Sequence, residues 1–179
     1  MHQHGPWLIE HRTRKYTSEF VEVLEDRVVR PDGAPGSYAT VTLKPGVAVL
    51  PVDRDGLVHL TEQFRYAIGR DSIEVPSGTL EPNEDPLDGG RREIREELGI
   101  VAKQWNDCGA IDLDTSIVRC PVRLFSATDL QFTRASPDGT EKIRARTLPL
   151  IEAVALVMNG TITHPPSCVL ILKAFVRRR

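Results

Sequence analysis

Between Gly78 and Ile100 the chain reads GTLEPNEDPLDGGRREIREELGI, with Gly78, Glu84, Arg92, Glu93, Glu96, Glu97 and Gly99 as its anchoring positions. At ordinary usage of these residue types, seven such identities coincide in about 10⁻⁶ of chains of this length, so the spacing carries information. Asp85 is a good N-cap, because its carboxylate can accept backbone N–H groups that the first helical turn leaves unpaired. Pro86 suits the first helical position and Gly99 suits the left-handed residue that ends a helix. Together they predict a helix over Pro86–Leu98.

At about 100° per residue, Glu93, Glu96 and Glu97 share an arc of about 100°, while Leu87, Ile94 and Leu98 gather on another flank. One flank packs and the other is acidic. Carboxylates at i, i+3 and i+4 repel one another, so a cation between them is the natural complement. Hard oxygen donors of this kind suit Mg²⁺, with Mn²⁺ as the alternative. The competing reading is a solvated, salt-bridged face, since Arg91, Arg92 and Arg95 are interleaved with the acids. The flanking glycines and Glu84 favour the metal face. Gly89 and Gly90 sit in mid-helix, each at about 1 kcal/mol relative to alanine, so this helix should rely on packing more than on propensity.

The pattern Gly-x5-Glu-x7-Arg-Glu-Ile-x-Glu-Glu-x-Gly-Ile resembles the signature of the Nudix hydrolases at every defined position. Just upstream, EQFRYAIGRDSIEVPSG resembles the approach to that signature in the ADP-ribose pyrophosphatase branch, through Gln63, Arg65, Glu74, Pro76, Ser77 and Gly78. The resemblance covers about Val47 to Phe175. It implies metal ligation by Glu93, Glu96, Glu97 and Glu84, with the Ser77 carbonyl beside them, and makes Arg65 and Glu74 the candidate substrate-binding residues. A guanidinium matches phosphate geometry, which suits Arg65 to gripping a substrate phosphate. It also places Glu141, in PDGTEK, where the branch carries a loop glutamate that binds metal or orients the attacking water. Where the branch has a proline and a glycine after the strand that follows the signature, this chain has Asp112–Ser116. That departure leaves the preferred sugar nucleotide open.

A chain of 179 residues, 40% hydrophobic, suits one domain with an N-terminal addition; the resemblance implies a β-rich extension over 1–45, with a possible role in dimerisation, and a Nudix hydrolase domain over 46–179. The net charge of −2 argues against a nucleic-acid polymer as partner, with Arg177, Arg178 and Arg179 expected to be a solvated helix end. No apolar run approaches the roughly 20 residues of a membrane span, and Met1–Pro6 does not read as a signal peptide, so a cytoplasmic protein is expected. Cys108, Cys120 and Cys168 are expected to be reduced thiols, mostly buried. His2 and His4 are expected on a mobile terminus.

Strands are predicted at SEFVEVLEDRVV, YATVTLK, GVAVLPV and LVHLTEQFR, then near Ala102–Asp112, Val118–Ala127 and Ile143–Thr147. Helices follow at about Leu150–Met158 and Ser167–Arg177. This order predicts the α/β class, an α/β/α sandwich around a mixed sheet with additional N-terminal strands, as the resemblance also implies. Trp7, Tyr16, Phe20 and Tyr38 lie in the N-terminal region, which in that branch helps form a homodimer and can stack on the substrate base, with core packing as the competing role for any one of them.

The expected reaction is attack of a metal-activated water on a diphosphate, with Arg92 orienting a carboxylate and Glu84 either completing the metal shell or accepting that arginine's hydrogen bonds. ADP-ribose, cut to AMP and ribose 5-phosphate, is the first substrate to consider. Another nucleoside diphosphate sugar such as GDP-mannose is the alternative, and a non-catalytic nucleotide-binding module is a third reading.

Overall fold

The segment Gly46–Pro51 is buried at every position, which in a strand means that both faces are covered. The computed structural model describes residues 1–136 and 142–177. The chain divides into two compact units, Met1–Lys44 with Asp112–Pro121, and Pro45–Ile111 with Val122–Arg179.

The first unit is an antiparallel meander of β1 (His2–His4), β2 (Trp7–Thr17), β3 (Val21–Val29) and β4 (Pro35–Leu43). His2–His4 pairs with Trp7–Ile9, so the expectation of a mobile N-terminus is overturned by ladder hydrogen bonds. β2 was absent from the predicted strands because HRTRKYT has no apolar alternation. Its charges are matched across the ladder instead: Arg12 to Asp26, Arg14 to Glu22 and Lys15 to Glu25, while Glu10 meets Arg27. Opposite charges on facing strands stabilise a sheet where apolar side chains do not.

The second unit holds β5 (Gly46–Pro51), β6 (Leu57–Arg65), a 3₁₀ turn at Tyr66–Ile68, β7 (Arg70–Glu74), β8 (Ser77–Thr79) and α1 (Pro86–Leu98). It also holds most of β9 (Ile100–Asp114) and β10 (Val118–Phe132), then β11 (Arg144–Pro149), α2 (Leu150–Met158) and α3 (Pro165–Arg177). Within this unit β10 runs parallel to β5, and β8 runs antiparallel to β5, so the sheet is mixed. A second, antiparallel sheet has the order β11-β6-β7.

α1 covers one face of β5: Ile94 packs with Val47, Val49, Ile100, Phe125 and Ala127, joined by Leu87 and Leu98. The alternate residues Ala48 and Leu50 turn to the opposite face of the pleat, and α3 also packs on β5. This is the α/β/α layering that the element order predicted. β9 runs longer than expected at both ends and β10 at its C-terminal end, and α3 begins two residues earlier, at Pro165. Cys108 and Cys120 are buried, Cys168 is partly buried, and all three are free thiols. Among the described residues no helix is long and apolar enough to cross a membrane.

Candidate active site

The predicted caps of α1 are both present. The Asp85 carboxylate accepts from the Leu87 N–H at 2.9 Å, and Gly99 takes φ 63°, its N–H donating to the Arg95 carbonyl at 3.0 Å. Packing of Ile94, Leu87 and Leu98 on the core then sets the helix's rotation, which buries Gly89, Gly90, Glu93, Ile94 and Glu97. A helix that buries two glutamates beside its packing stripe departs from an ordinary amphipathic surface helix.

The mid-helix glycines now have a steric explanation. A methyl at Gly90 would lie 3.0 Å from Val49 Cγ2, and one at Gly89 would lie 2.5 Å from Leu80 Cδ2 and 3.1 Å from Glu84 Oε2. Glycine lets α1 settle close onto β5 and lets the Glu84 carboxylate tuck against the helix. Gly78 has the tightest seat: a methyl there would lie 2.0 Å from Glu93 Oε1. The Glu93 carboxylate therefore rests directly on the backbone of β8, next to Ser77.

Arg92 is the hub of this face. Its Nε and Nη2 donate to the two Glu84 oxygens at 2.9 and 3.0 Å. Nη1 donates to Glu93 at 2.7 Å and to Glu96 at 3.3 Å, and Nη2 also donates to the Thr79 carbonyl at 3.1 Å. The hydrogen bonds to Glu84, aided by the charges of Glu93 and Glu84 against the pull of burial, raise the Arg92 pKa well above the usual arginine value. The same hydrogen bonds lower the Glu84 pKa. Of the two roles left open for Glu84, the structure shows it accepting the arginine's hydrogen bonds, and its Oε2 also accepts from the Glu81 N–H at 2.9 Å. Arg92 is buttressed by a bidentate carboxylate and holds Glu93 in turn.

Glu97 is buried one turn beyond Glu93, and Glu96 lies between them, partly exposed. Among the described residues no three histidine, cysteine or acidic side chains already form a metal cage, and Arg92 supplies positive charge between the acids. Two observations nonetheless fit a divalent cation. The donors are all oxygen, from carboxylates and a neighbouring backbone carbonyl, which is the set that Mg²⁺ and Mn²⁺ accept. The absence of a side chain at Gly78 brings the Glu93 oxygens and the β8 backbone together.

Arg65 and Glu74 form a second group. The Arg65 guanidinium grips the Glu74 carboxylate through Nε, at 3.1 Å, and Nη2. Burial pushes the Glu74 carboxyl up, but the Arg65 hydrogen bond and nearby positive charge outweigh it and leave the pKa lowered. Burial also lowers the pKa of His164, 3.6 Å from Glu74. The Arg65 hydrogen bond is the largest of the effects that hold Glu74 ionised, and a hydrogen bond from Ser72 adds to it. Arg65 remains about a third exposed, so it is anchored at one side and accessible at the other.

Glu141 lies outside the described residues, as do Arg178 and Arg179. The segment that follows β10 is tied to the end of α1: Thr133 N–H donates to the Gly99 carbonyl at 2.6 Å and Ser136 N–H to the Glu96 carbonyl at 2.9 Å. Sequence reasoning missed the Thr79 carbonyl, a backbone group without a sequence signal. It also missed His164 and Ser167, although the His-Pro-Pro-Ser order marks a helix start.

In the first unit, a cleft of about 510 Å³ is lined by Trp7, Arg12, Asp26, Tyr38, Thr115 and Ser116 among others. Trp7 and Tyr38 meet edge to face at 5.3 Å, and the Tyr38 hydroxyl donates to the Ser116 carbonyl. Two of the four N-terminal aromatics thus share a cleft with the turn that departs from the branch pattern. Tyr16 and Phe20 are exposed, with the Lys44 ammonium 4.9 Å from the Phe20 ring centre.

Comparison with known proteins bears on the same elements. Residues 42–162 match the NUDIX domain. An ADP-ribose pyrophosphatase of Bacillus subtilis (strain 168) is 27% identical over 144 residues, covering 79% of this chain and 78% of the relative. An ADP-ribose pyrophosphatase of Mycobacterium tuberculosis (strain ATCC 25618 / H37Rv) is 29% identical over 155 residues, covering 83% and 73%. The crystal structure of an ADP compounds hydrolase superposes with a TM-score of 0.80 at 16% identity, covering 96% of this chain and 94% of that one, which speaks to the fold.

Proposed function

Since this chain belongs to the NUDIX family, we propose that it is a metal-dependent hydrolase of nucleoside diphosphate sugars, with ADP-ribose, cut to AMP and ribose 5-phosphate, as its substrate. The observation that carries the catalytic part is the seat of Glu93, pressed against Gly78 and held by Arg92, which Glu84 buttresses in turn. A carboxylate fixed this firmly beside a backbone strand serves a site that depends on position. The names of the two bacterial relatives support ADP-ribose as the substrate.

In this reading Glu93, Glu96, Glu97 and the Ser77 carbonyl hold Mg²⁺, or Mn²⁺ in its place, with Glu84 contributing through Arg92. Bound there, the ion neutralises diphosphate oxygens and lowers the pKa of a water. The chain's own work is orientation. Arg92 keeps the Glu93 oxygens aimed and lowers the cost of crowding three carboxylates on one helix face. Glu74 fixes the plane of the Arg65 guanidinium, and the accessible side of Arg65 meets a substrate phosphate. Glu141 is assigned to orienting the attacking water. Attack at phosphorus breaks the anhydride bond, and the water's oxygen leaves in one of two phosphate monoesters.

A second reading, hydrolysis of another nucleotide sugar such as GDP-mannose, is favoured by one observation. Thr115 and Ser116, from the segment that departs from the branch pattern, line the cleft that holds Trp7 and Tyr38. A homodimer and a cytoplasmic location complete the proposal; elution at twice the chain mass on a sizing column supports the dimer, and a monomer refutes it.

The test is release of phosphate monoester from ADP-ribose, other ADP-sugars, GDP-mannose, UDP-glucose, NADH and diadenosine polyphosphates, with and without Mg²⁺. Preference for ADP-ribose supports the proposal. Preference for another sugar nucleotide makes Asp112–Ser116 the specificity element, and turnover of none supports a nucleotide-binding module.

A further inference from the structure

The chain leaves one sheet at Glu74, the end of β7, and enters the other at Ser77, the start of β8, so Val75 and Pro76 make the crossing. Backbone groups in such a crossing lack ladder partners, and a buried one must find another. Val75 is fully buried, and Pro76 has no N–H to offer. The Pro76 carbonyl accepts from the Val49 N–H of β5 at 3.0 Å. The Val75 N–H donates to a side chain from the far end of the sequence, the Ser167 hydroxyl, at 2.8 Å.

Ser167 is fully buried near the start of α3, and its oxygen lies 2.8 Å from His164 Nδ1. A hydroxyl can accept and donate at once. It accepts from Val75 and is hydrogen-bonded to the His164 imidazole on its other side. The same Nδ1, at 3.6 Å, is the imidazole atom facing Glu74. A serine–histidine–carboxylate relay needs the two imidazole nitrogens to serve different partners. With one nitrogen facing both, and the hydroxyl fully buried, this cluster is not a nucleophile.

We infer that Ser167, with its hydroxyl oriented by His164, is a positioning residue for the β8 edge of the active site. It pins the Val75–Pro76 crossing and so sets where the Ser77 carbonyl and the Gly78 seat of Glu93 stand relative to α1. The inference rests on the proposed assignment of Ser77 and Glu93 to the metal. Residues 74–78 are then held from two sides, by the β5 backbone at Val49 and by α3 at Ser167.

Mn²⁺ binding measured by titration calorimetry without substrate, beside a thermal melt without metal, tests this. Ser167→Ala and His164→Ala are expected to weaken Mn²⁺ binding by about tenfold, the order expected from one lost hydrogen bond. His164→Asn, whose side-chain amide stands where Nδ1 does and can donate or accept, is expected to stay within about twofold of wild type. If Ser167→Ala melts lower yet binds Mn²⁺ as wild type does, the cluster is only structural and the inference is overturned. Should Ser167→Ala fail to fold, His164→Ala, which keeps the Val75 acceptor, decides on the same two readouts. Absence of Mn²⁺ binding by the wild type overturns the metal assignment itself, and the inference with it.

Discussion

Replacing Gly78 by alanine separates the cost of folding from the cost of catalysis. The new methyl would lie 2.0 Å from Glu93 Oε1, 2.4 Å from Cδ and 2.7 Å from Oε2, where ordinary contact begins at 3.4 Å. The strand cannot retreat easily, because Gly78 is paired with Val47 across the sheet. The carboxylate is the far end of a flexible side chain, so it is the part that withdraws, by about 1.4 Å. Withdrawal sacrifices the 2.7 Å hydrogen bond from Arg92 and pushes Glu93 off its rotamer. Those losses come to about 1 to 3 kcal/mol, a fall in Tm of roughly 3 to 10 °C for a chain of this size. Catalysis should suffer far more, since a misplacement of about 1 Å can cost about 100-fold. A thermal melt and steady-state hydrolysis of ADP-ribose with Mg²⁺ read the two effects. The expected variant is folded, with kcat lower by about 100-fold or more. Full kcat would show that Glu93 does not act from this seat, and outright unfolding would show that the backbone rather than the carboxylate takes up the clash.

Glu93→Gln and Glu97→Gln should each lower kcat by several orders of magnitude with little change in melting, because in the proposed reading the lost charge serves the metal; wild-type turnover in both refutes the assignment. Gly99→Ala meets backbone rather than a side chain, with its methyl 2.3 Å from the Thr133 carbonyl oxygen and φ at 63°. It should cost about 2 to 5 kcal/mol in urea unfolding, and a neutral result would contradict the packing of residues 133–136 on the end of α1. Glu84 and Glu74 have carboxyl pKa values lowered by folding. Their contribution is therefore present above the ordinary value of 4.5 and is lost as pH falls through their folded values. The urea midpoint should drop between pH 6 and pH 3, less so in Glu84→Gln; an equal drop in that variant would show that the Arg92–Glu84 pair is not its source.

Much of the site was legible in order along the chain because its elements are local. The N-cap at Asp85, the stop at Gly99 and the division of α1 into an acidic and a packing flank depend on residues within one helix. Backbone geometry alone relates them. The family pattern was legible for the same reason, being a set of spacings within one turn-and-helix segment. Strand β2 was illegible because its stabilising partners, such as Asp26 for Arg12, lie on another strand. A charged run shows no periodicity that reveals them.

Gly89 and Gly90 show where sequence reasoning stops. Read along the chain they weaken a helix; in the fold they admit Leu80, Glu84 and Val49 to the helix surface. Which residues share the acidic face, where the helix starts and stops, and which family pattern the chain carries all follow from local order along the chain. That Glu84 serves Arg92, that Gly78 forms the seat of Glu93, and that Ser167 reaches Val75 emerges from the fold alone. Those relations join segments that meet across layers of the fold, and contact across layers depends on how surfaces pack, which no local spacing encodes.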